Sequence, residues 1–272
     1  MILTAVPERP QVGVATTLRF ALTDDDGLPI ENLMTHHDRK LHVVVVSEDM
    51  QVFGHIHPED FDEPIGNGEA SVHFTFPRAG RYLAAADLAT ETGSYAEQFI
   101  LTVEGDTAVP ESAASASASL VVVEADEGDS YTAPVVLDAP GPTGGYELSV
   151  ARPGTITAGA PATFTWRLTK DGKPITDLRP FLAAAMHLAV VKDDFGHFVH
   201  AHGTAKGLGT GYDHVHGASS ADDDSPEPGD LVYFGPEIVA TVTFPEPGRY
   251  FLFGQAAHGE TLLITRLPID VR

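Results

Sequence analysis

The chain repeats itself. Residues 41–57 align without a gap to residues 186–202, so that position n in the first half corresponds to position n + 145 in the second. Such a repeat constrains the fold more than any local signal, because an architecture that suits one copy must also suit the other. Upstream, Leu18, Phe20 and Leu22 match Phe164, Trp166 and Leu168, and Gly27, Pro29 and Ile30 match Gly172, Pro174 and Ile175. Downstream, residues 74–82 match 242–250, both ending in Phe-Pro-x-x-Gly-Arg-Tyr. The offset has risen there to 168, so the second copy carries 23 extra residues, which fall within 203–236.

Each copy alternates short β-rich runs with Gly, Pro and Asp turn signals and has no sustained 3.6-residue apolar period, which predicts strands packed as a sandwich. The expected fold class is all-β: two tandem immunoglobulin-like or cupredoxin-like β-sandwich domains produced by internal duplication. The first repeat is expected over 1–110 and the second over 146–272, with its histidine-containing insertion at 203–236. Between them, residues 111–145 contain an Ala/Ser run at 113–119 and a Pro/Gly-rich stretch at 139–145, the composition of a linker, with 120–123 as an edge strand. A chain of 272 residues gives each copy enough length to bury a core of its own.

Composition removes several functions. There is no cysteine, so disulfides, thiolate metal sites, iron–sulfur clusters and cysteine nucleophiles are excluded. A formal net charge of −23 repels phosphate backbones and anionic lipid and favours cations, so nucleic acid is not an expected partner. No apolar run approaches the roughly 20 residues of a membrane-spanning helix, so no membrane span is expected. Residues 2–6 already read as a strand, which leaves no room for the apolar segment of a secretory signal. On that reading the chain is cytoplasmic, unless a signal peptide has been removed.

The histidines carry the functional signal. The apolar runs 41–46 and 51–57 flank a four-residue connection suited to a hairpin. With Val46 opposite Gln51, His42 falls opposite His55 at a Cβ separation of about 4.5–5.5 Å. His57, two residues on, shares their face. The same construction in the second copy sets His187 opposite His200 with His202 diagonal, and turns His197 to the other face. Three imidazoles so placed can share one divalent first-row ion at about 2.0–2.1 Å; without an ion, crowding is expected to depress their pKa values. The plainer alternative is a half-buried sheet face in which the rings bond to one another and to nearby loops, copied along with the domain.

Further ligands are sought around each trio. Asp87 aligns with Gln255, giving a carboxylate in one copy and an amide in the other, and His258 lies three residues beyond Gln255 where the first copy has Thr90. His214 and His216 form a second His-x-His in the Gly/Ser/Asp-rich insertion. His73 and the pair His36 and His37 have no histidine counterparts in the second copy and read as structural or surface residues.

These pieces together resemble a group of uncharacterised bacterial extracytoplasmic proteins built from tandem β-sandwich modules with histidine-rich repeat motifs. The resemblance is carried by residues 42–58, 74–82 and 186–203, by Phe234, Gly235, Pro236 and Glu237, and by Phe253, Gly254 and Gln255. It implies an extracytoplasmic setting, periplasmic or secreted, and metal handling by the histidines of the insertion.

The leading expectation is a metal-binding protein that sequesters or delivers copper(II) or zinc(II), one histidine cluster per repeat, with the ion and a metal-handling protein as partners. Copper(I) is disfavoured, because of the four methionines only Met186 adjoins a candidate ligand. One alternative is a metalloenzyme with an open three-histidine site, although no nucleophile elbow or phosphate-binding loop accompanies it. Another is a non-catalytic surface or interaction module. The second copy is expected to hold the tighter ion, because it alone adds His258, His214 and His216.

Overall fold

The computed structural model describes residues 1–24, 26–106, 118–125, 130–138, 141–206 and 233–272. Their regular structure is strand, apart from a single 3-10 turn at Pro58–Phe61. In chain order the strands are β1 (Ile2–Val6), β2 (Ala15–Ala21), β3 (Leu33–Met34), β4 (Leu41–Ser47), β5 (Val52–Ile56), β6 (Glu69–Thr75), β7 (Gly80–Thr90) and β8 (Gly93–Val103). There follow β9 (Ser119–Glu124), β10 (Val135–Val136), β11 (Tyr146–Ala151), β12 (Pro161–Lys170), β13 (Lys173–Pro174), β14 (Met186–Lys192), β15 (Phe198–Ala205), β16 (Glu237–Thr243), β17 (Gly248–His258) and β18 (Thr261–Val271). No helix among the described residues is long and apolar enough to cross a membrane.

The chain forms two compact units, one of Met1–Ala114 with Asp126–Val136 and the other of Ser115–Ala125 with Leu137–Arg272. In the first, a sheet ordered β1-β2-β6 accompanies a sheet ordered β10-β5-β4-β7, with β8 on β7. Leu18, Phe20, Val72 and Phe74 from one sheet and Leu41, Val43, Val45, Ile56 and Tyr82 from the other make the core between them. In the second unit, β11-β12-β16 corresponds to the first sheet and β15-β14-β17-β18-β9 to the other. The two are joined where Thr204 and Ala205 of β15 pair with Val239 and Ile238. Phe164, Trp166, Leu188, Val190 and Tyr250 are among its core residues. Both units are therefore β-sandwiches with matching strand orders.

The repeated Phe-Pro-x-x-Gly-Arg-Tyr segment does the same work twice. Tyr82 Oη donates to the Arg78 carbonyl at 2.9 Å, and Tyr250 Oη donates to the Glu246 carbonyl at 3.0 Å. The chain swings into β7 and β17 through Gly80 at φ 130° and Gly248 at φ 146°, conformations open to a residue without Cβ. These two strands carry Asp87 and Gln255.

The hairpin register differs from the sequence expectation. Val46 pairs with Phe53 and Val44 with His55, so the ladder sets His42 against His57, not His55. In the second unit His187 pairs with His202 directly, and Ala189 with His200. The cause is the turn. Ser47 stays in β4, and its hydroxyl accepts the backbone N–H groups of Gln51 and Val52, at 3.2 and 2.8 Å. Met50, at φ 58°, closes the reversal with its N–H on the Ser47 carbonyl. Phe195, at φ 63°, repeats that step in the second unit. A shift of two residues changes which residues are opposed but preserves faces, so the three histidines of each copy still lie on one side.

Candidate metal centre

β4 is buried on both sides. Leu41, Val43 and Val45 enter the sandwich core, and the alternation of a strand turns His42, Val44 and Val46 the other way. On that second face His42 meets His55 and His57, and all three are at most 5% exposed. His42 Nδ1 lies 3.1 Å from His55 Nε2 and 3.1 Å from His57 Nε2, and the last two nitrogens are 3.2 Å apart. Three ring nitrogens thus form a near-equilateral triangle.

The outer nitrogens show what the inner ones carry. His42 Nε2 lies 3.0 Å from the His36 carbonyl, which can only accept, so the proton sits on Nε2 and Nδ1 presents a lone pair inward. His57 Nδ1 lies 2.9 Å from Asp60 Oδ2, and an ionised carboxylate likewise only accepts, so His57 Nε2 also presents a lone pair. Those two lone pairs face each other across 3.1 Å. A cation placed among them would be shared by all three nitrogens. For His42 and His57 this is the arrangement in which a metal-bound imidazole gives its other N–H to a carbonyl or carboxylate.

Asp60 is delivered by the end of the hairpin. Pro58 stops β5 and opens the 3-10 turn, and Asp60 reaches back to the His57 backbone N–H at 2.9 Å as well as to the ring. Arg39 closes on the other carboxylate oxygen through Nε and Nη2, both at 3.3 Å. Burial raises the Asp60 carboxyl above its ordinary value, and Arg39 partly offsets this. Sequence reasoning missed Asp60, Arg39 and the His36 carbonyl. The signal for Asp60 was present, since His-Pro-x-Asp has the spacing of a residue capped from three positions downstream.

The second unit repeats the trio. His187, His200 and His202 are at most 5% exposed, and His187 Nδ1 lies 3.2 Å from His200 Nε2. His187 Nε2 is held by the Leu182 carbonyl at 3.1 Å. The ring pairs of the first trio lie at 5.3, 4.8 and 4.6 Å with interplanar angles of 30°, 87° and 62°. Their counterparts lie at 5.4, 4.6 and 4.8 Å with angles of 30°, 90° and 60°. His42, His55, His187, His200 and His202, together with His37, belong to groups of histidines whose ligand atoms come close enough to hold a metal ion. The loops that hold the outer nitrogens are also duplicated: His37 and Asp38 at φ 50° and 61° match Leu182 and Ala183 at 48° and 54°. At the spacing where His57 finds Asp60, His202 is followed by Ala205.

Asp87 pairs with His42 across β4 and β7, and Gln255 pairs with His187 across β14 and β17. Directly opposed residues share a face, so both stand beside their trios, and both are buried. Burial pushes the Asp87 carboxyl up to about 7. His258 is not brought to the trio. It lies an odd number of residues beyond Gln255 on β17, hence on the opposite face, where Nδ1 lies 2.7 Å from Tyr146 Oη and Nε2 3.2 Å from Asp177 Oδ1. His214 and His216 lie outside the described residues. His197 sits in the turn with Nε2 3.5 Å from Glu246, and His73 bonds to Glu63 and Thr17.

A family model described as a domain of unknown function, DUF8832, matches residues 3–105 and 142–272. No curated protein matches the chain. Among solved structures, trypsin-activated alpha-2-macroglobulin from Escherichia coli aligns at 11% identity with a TM-score of 0.24; the alignment covers 96% of this chain and 15% of that one.

Proposed function

The chain belongs to the DUF8832 family, and, since that family carries no described activity, we propose from the geometry alone that it is a metal-binding protein that sequesters or delivers a divalent ion, copper or zinc, at one trio per module. The ligands are His42, His55 and His57 in the first module and His187, His200 and His202 in the second. The observation that carries this reading is the triangle of buried ring nitrogens of His42, His55 and His57, 3.1–3.2 Å apart, with the far nitrogens of His42 and His57 held at the His36 carbonyl and at Asp60. Imidazoles whose outer nitrogens are held by a carbonyl or a carboxylate are oriented as metal ligands are. Asp87 and Gln255 stand next to the ligands as neighbours that differ in charge.

The test is metal content. Protein produced without a histidine tag and dialysed against trace divalent ions should retain zinc or copper in stoichiometric amount. His42→Ala and His187→Ala should each lower that content, and the double variant should abolish it. Retention unchanged in the double variant would remove the trios from the reading.

A further inference from the structure

We infer that His73, on β6, is a positioning residue for the first trio: through Glu63 and Phe61 it anchors the turn that carries Asp60, and so steadies the carboxylate that holds the His57 ring. The inference rests on the metal-binding reading above. Thr17 and His73 are opposed across β2 and β6, on the outer face of that sheet, because Leu18, Phe20, Val72 and Phe74 enter the core. His73 Nε2 lies 3.0 Å from Glu63 Oε1, and its Nδ1 lies 3.1 Å from Thr17 Oγ1. A carboxylate only accepts, so Nε2 carries the ring proton and Nδ1 accepts the threonine hydroxyl. The other Glu63 oxygen accepts the Ser71 hydroxyl at 3.0 Å. The bonds from His73 and Ser71 hold the Glu63 carboxyl below its ordinary value. The Phe61 ring meets the His73 ring edge-on, with centroids 5.2 Å apart.

The turn between the two histidines is short and internally bonded, so the anchorage reaches Asp60. Asp60 precedes Phe61 by one residue and Glu63 by three. The Asp60 N–H donates to the His57 carbonyl and the Glu63 N–H to the Pro58 carbonyl, both at 3.1 Å. Asp62, in the left-handed conformation at φ 54°, caps the turn and directs the chain toward β6. Asp60 is therefore held from His57 on one side and from His73 on the other. Arg39 grips the same carboxylate, so His73 is one support of two, and its loss should cost less than the loss of Asp60 itself.

The parts of this support occur together. In the second module the positions of Ser71 and His73 hold Val239 and Thr241, and Thr241 bonds across the strands to Thr163 at 2.9 Å. There, too, Ala205 stands at the spacing of Asp60. The same sheet is thus built without the histidine where the aspartate is also missing.

The experiment uses the full chain carrying His187→Ala, so that the first site reports, with zinc(II) and then copper(II) as probes. His73→Thr gives the position the residue that Thr241 supplies in the second module, and should keep the fold. It should weaken zinc binding by about threefold to tenfold, at or below the low end of what loss of an outer partner costs. His73→Gln, whose amide can still donate to Glu63, should recover part of the loss. Glu63→Gln should act in the same direction as His73→Thr, and replaces it if that variant does not fold. On an Asp60→Asn background His73→Thr should add little, because its effect runs through that carboxylate. A second readout needs no metal. Nuclear magnetic resonance of the ring nitrogens in the stripped protein should find His57 protonated on Nδ1, and His73→Thr should move part of the population to the Nε2 tautomer. Affinity and tautomer both unchanged in His73→Thr, or the same loss with and without Asp60, overturn the positioning role and leave the metal-binding reading standing. A chain that binds neither probe overturns the metal-binding reading, and the His57 tautomer then decides the role of His73.

Discussion

Asp60 Oδ2 lies 2.9 Å from His57 Nδ1, and its other oxygen is shared by two nitrogens of Arg39. The carboxylate holds the ring proton on the outer nitrogen, so that the inner nitrogen of His57 turns to the trio as an acceptor. Outer-shell partners of this kind are worth about 10–100-fold in metal affinity. Asp60→Asn should therefore weaken the first site by at least about tenfold while the hairpin remains folded. Competition titration on a His187→Ala background, where only the first site reports, checks this, and an unchanged affinity removes Asp60 from the site.

Asp60→Ala should do something further. Arg39 is then left largely buried without its carboxylate, and breaking a buried pair in this way costs about 3–5 kcal/mol. Urea denaturation of the metal-free protein should show a lower midpoint for Asp60→Ala than for Asp60→Asn. Equal midpoints would mean that Arg39 finds another anchor.

Asp87 predicts a pH dependence. Burial raises its carboxyl from 3.8 to about 7, so between those values the folded metal-free protein holds a proton that the unfolded chain has released. Stability should fall as pH rises through that window and level off above it. The size is on the order of a few kcal/mol. Asp87→Asn should flatten the decline and stabilise the metal-free first module at pH 8. A variant less stable than wild type at pH 8 would show that ionised Asp87 is stabilised in place.

Metal binding should carry the opposite slope. Ligand imidazoles must be deprotonated, so affinity should drop as pH falls through the histidine range near about 6.5. Zinc added at 100 times its dissociation constant should stabilise the fold by about 2.7 kcal/mol. The rise in melting temperature on adding zinc should be full at pH 7.5 and nearly gone at pH 5.5; a rise that persists at pH 5.5 points to carboxylate sites elsewhere on the chain.

Gly54 sits one residue before His55, and a Cβ there would come 2.5 Å from Phe74 Cε2. The matching positions in the second copy hold Val199 and Val242, a larger residue against a smaller one. Gly54→Val should cost about 1–3 kcal/mol by overpacking and weaken the first site by displacing β5. Adding Phe74→Val should recover much of both losses. A double-mutant cycle with no coupling would mean that the two positions do not compensate.

The face on which the histidines lie was legible in the sequence, because side-chain alternation survives any shift by two. The pairing was not. Ser47 reads as a turn residue but extends β4 and uses its hydroxyl to hold the turn, while Met50 and Phe195 take a left-handed conformation that their side chains do not advertise. Proximity along β17 made His258 look like a ligand, yet an odd spacing from Gln255 sends it to Tyr146 and Asp177. Asp60 was overlooked because it lies beyond the repeated block. Its role depends on Pro58 ending the strand, which Gly203 does not do in the second copy.

The pairing of β9 with β18 bears on how the gene can be cut. Six residues, Ser119 through Glu124, run antiparallel along Arg266 to Thr261, although the family match resumes only at residue 142. A fragment begun at that boundary leaves a long strand edge open, with Leu262, Leu263 and Ile264 along it. Such edges template pairing between molecules. A soluble second module should therefore start ahead of Ser119, and one begun at 142 should elute from size exclusion as aggregates unless residues 118–125 are supplied in trans as a peptide.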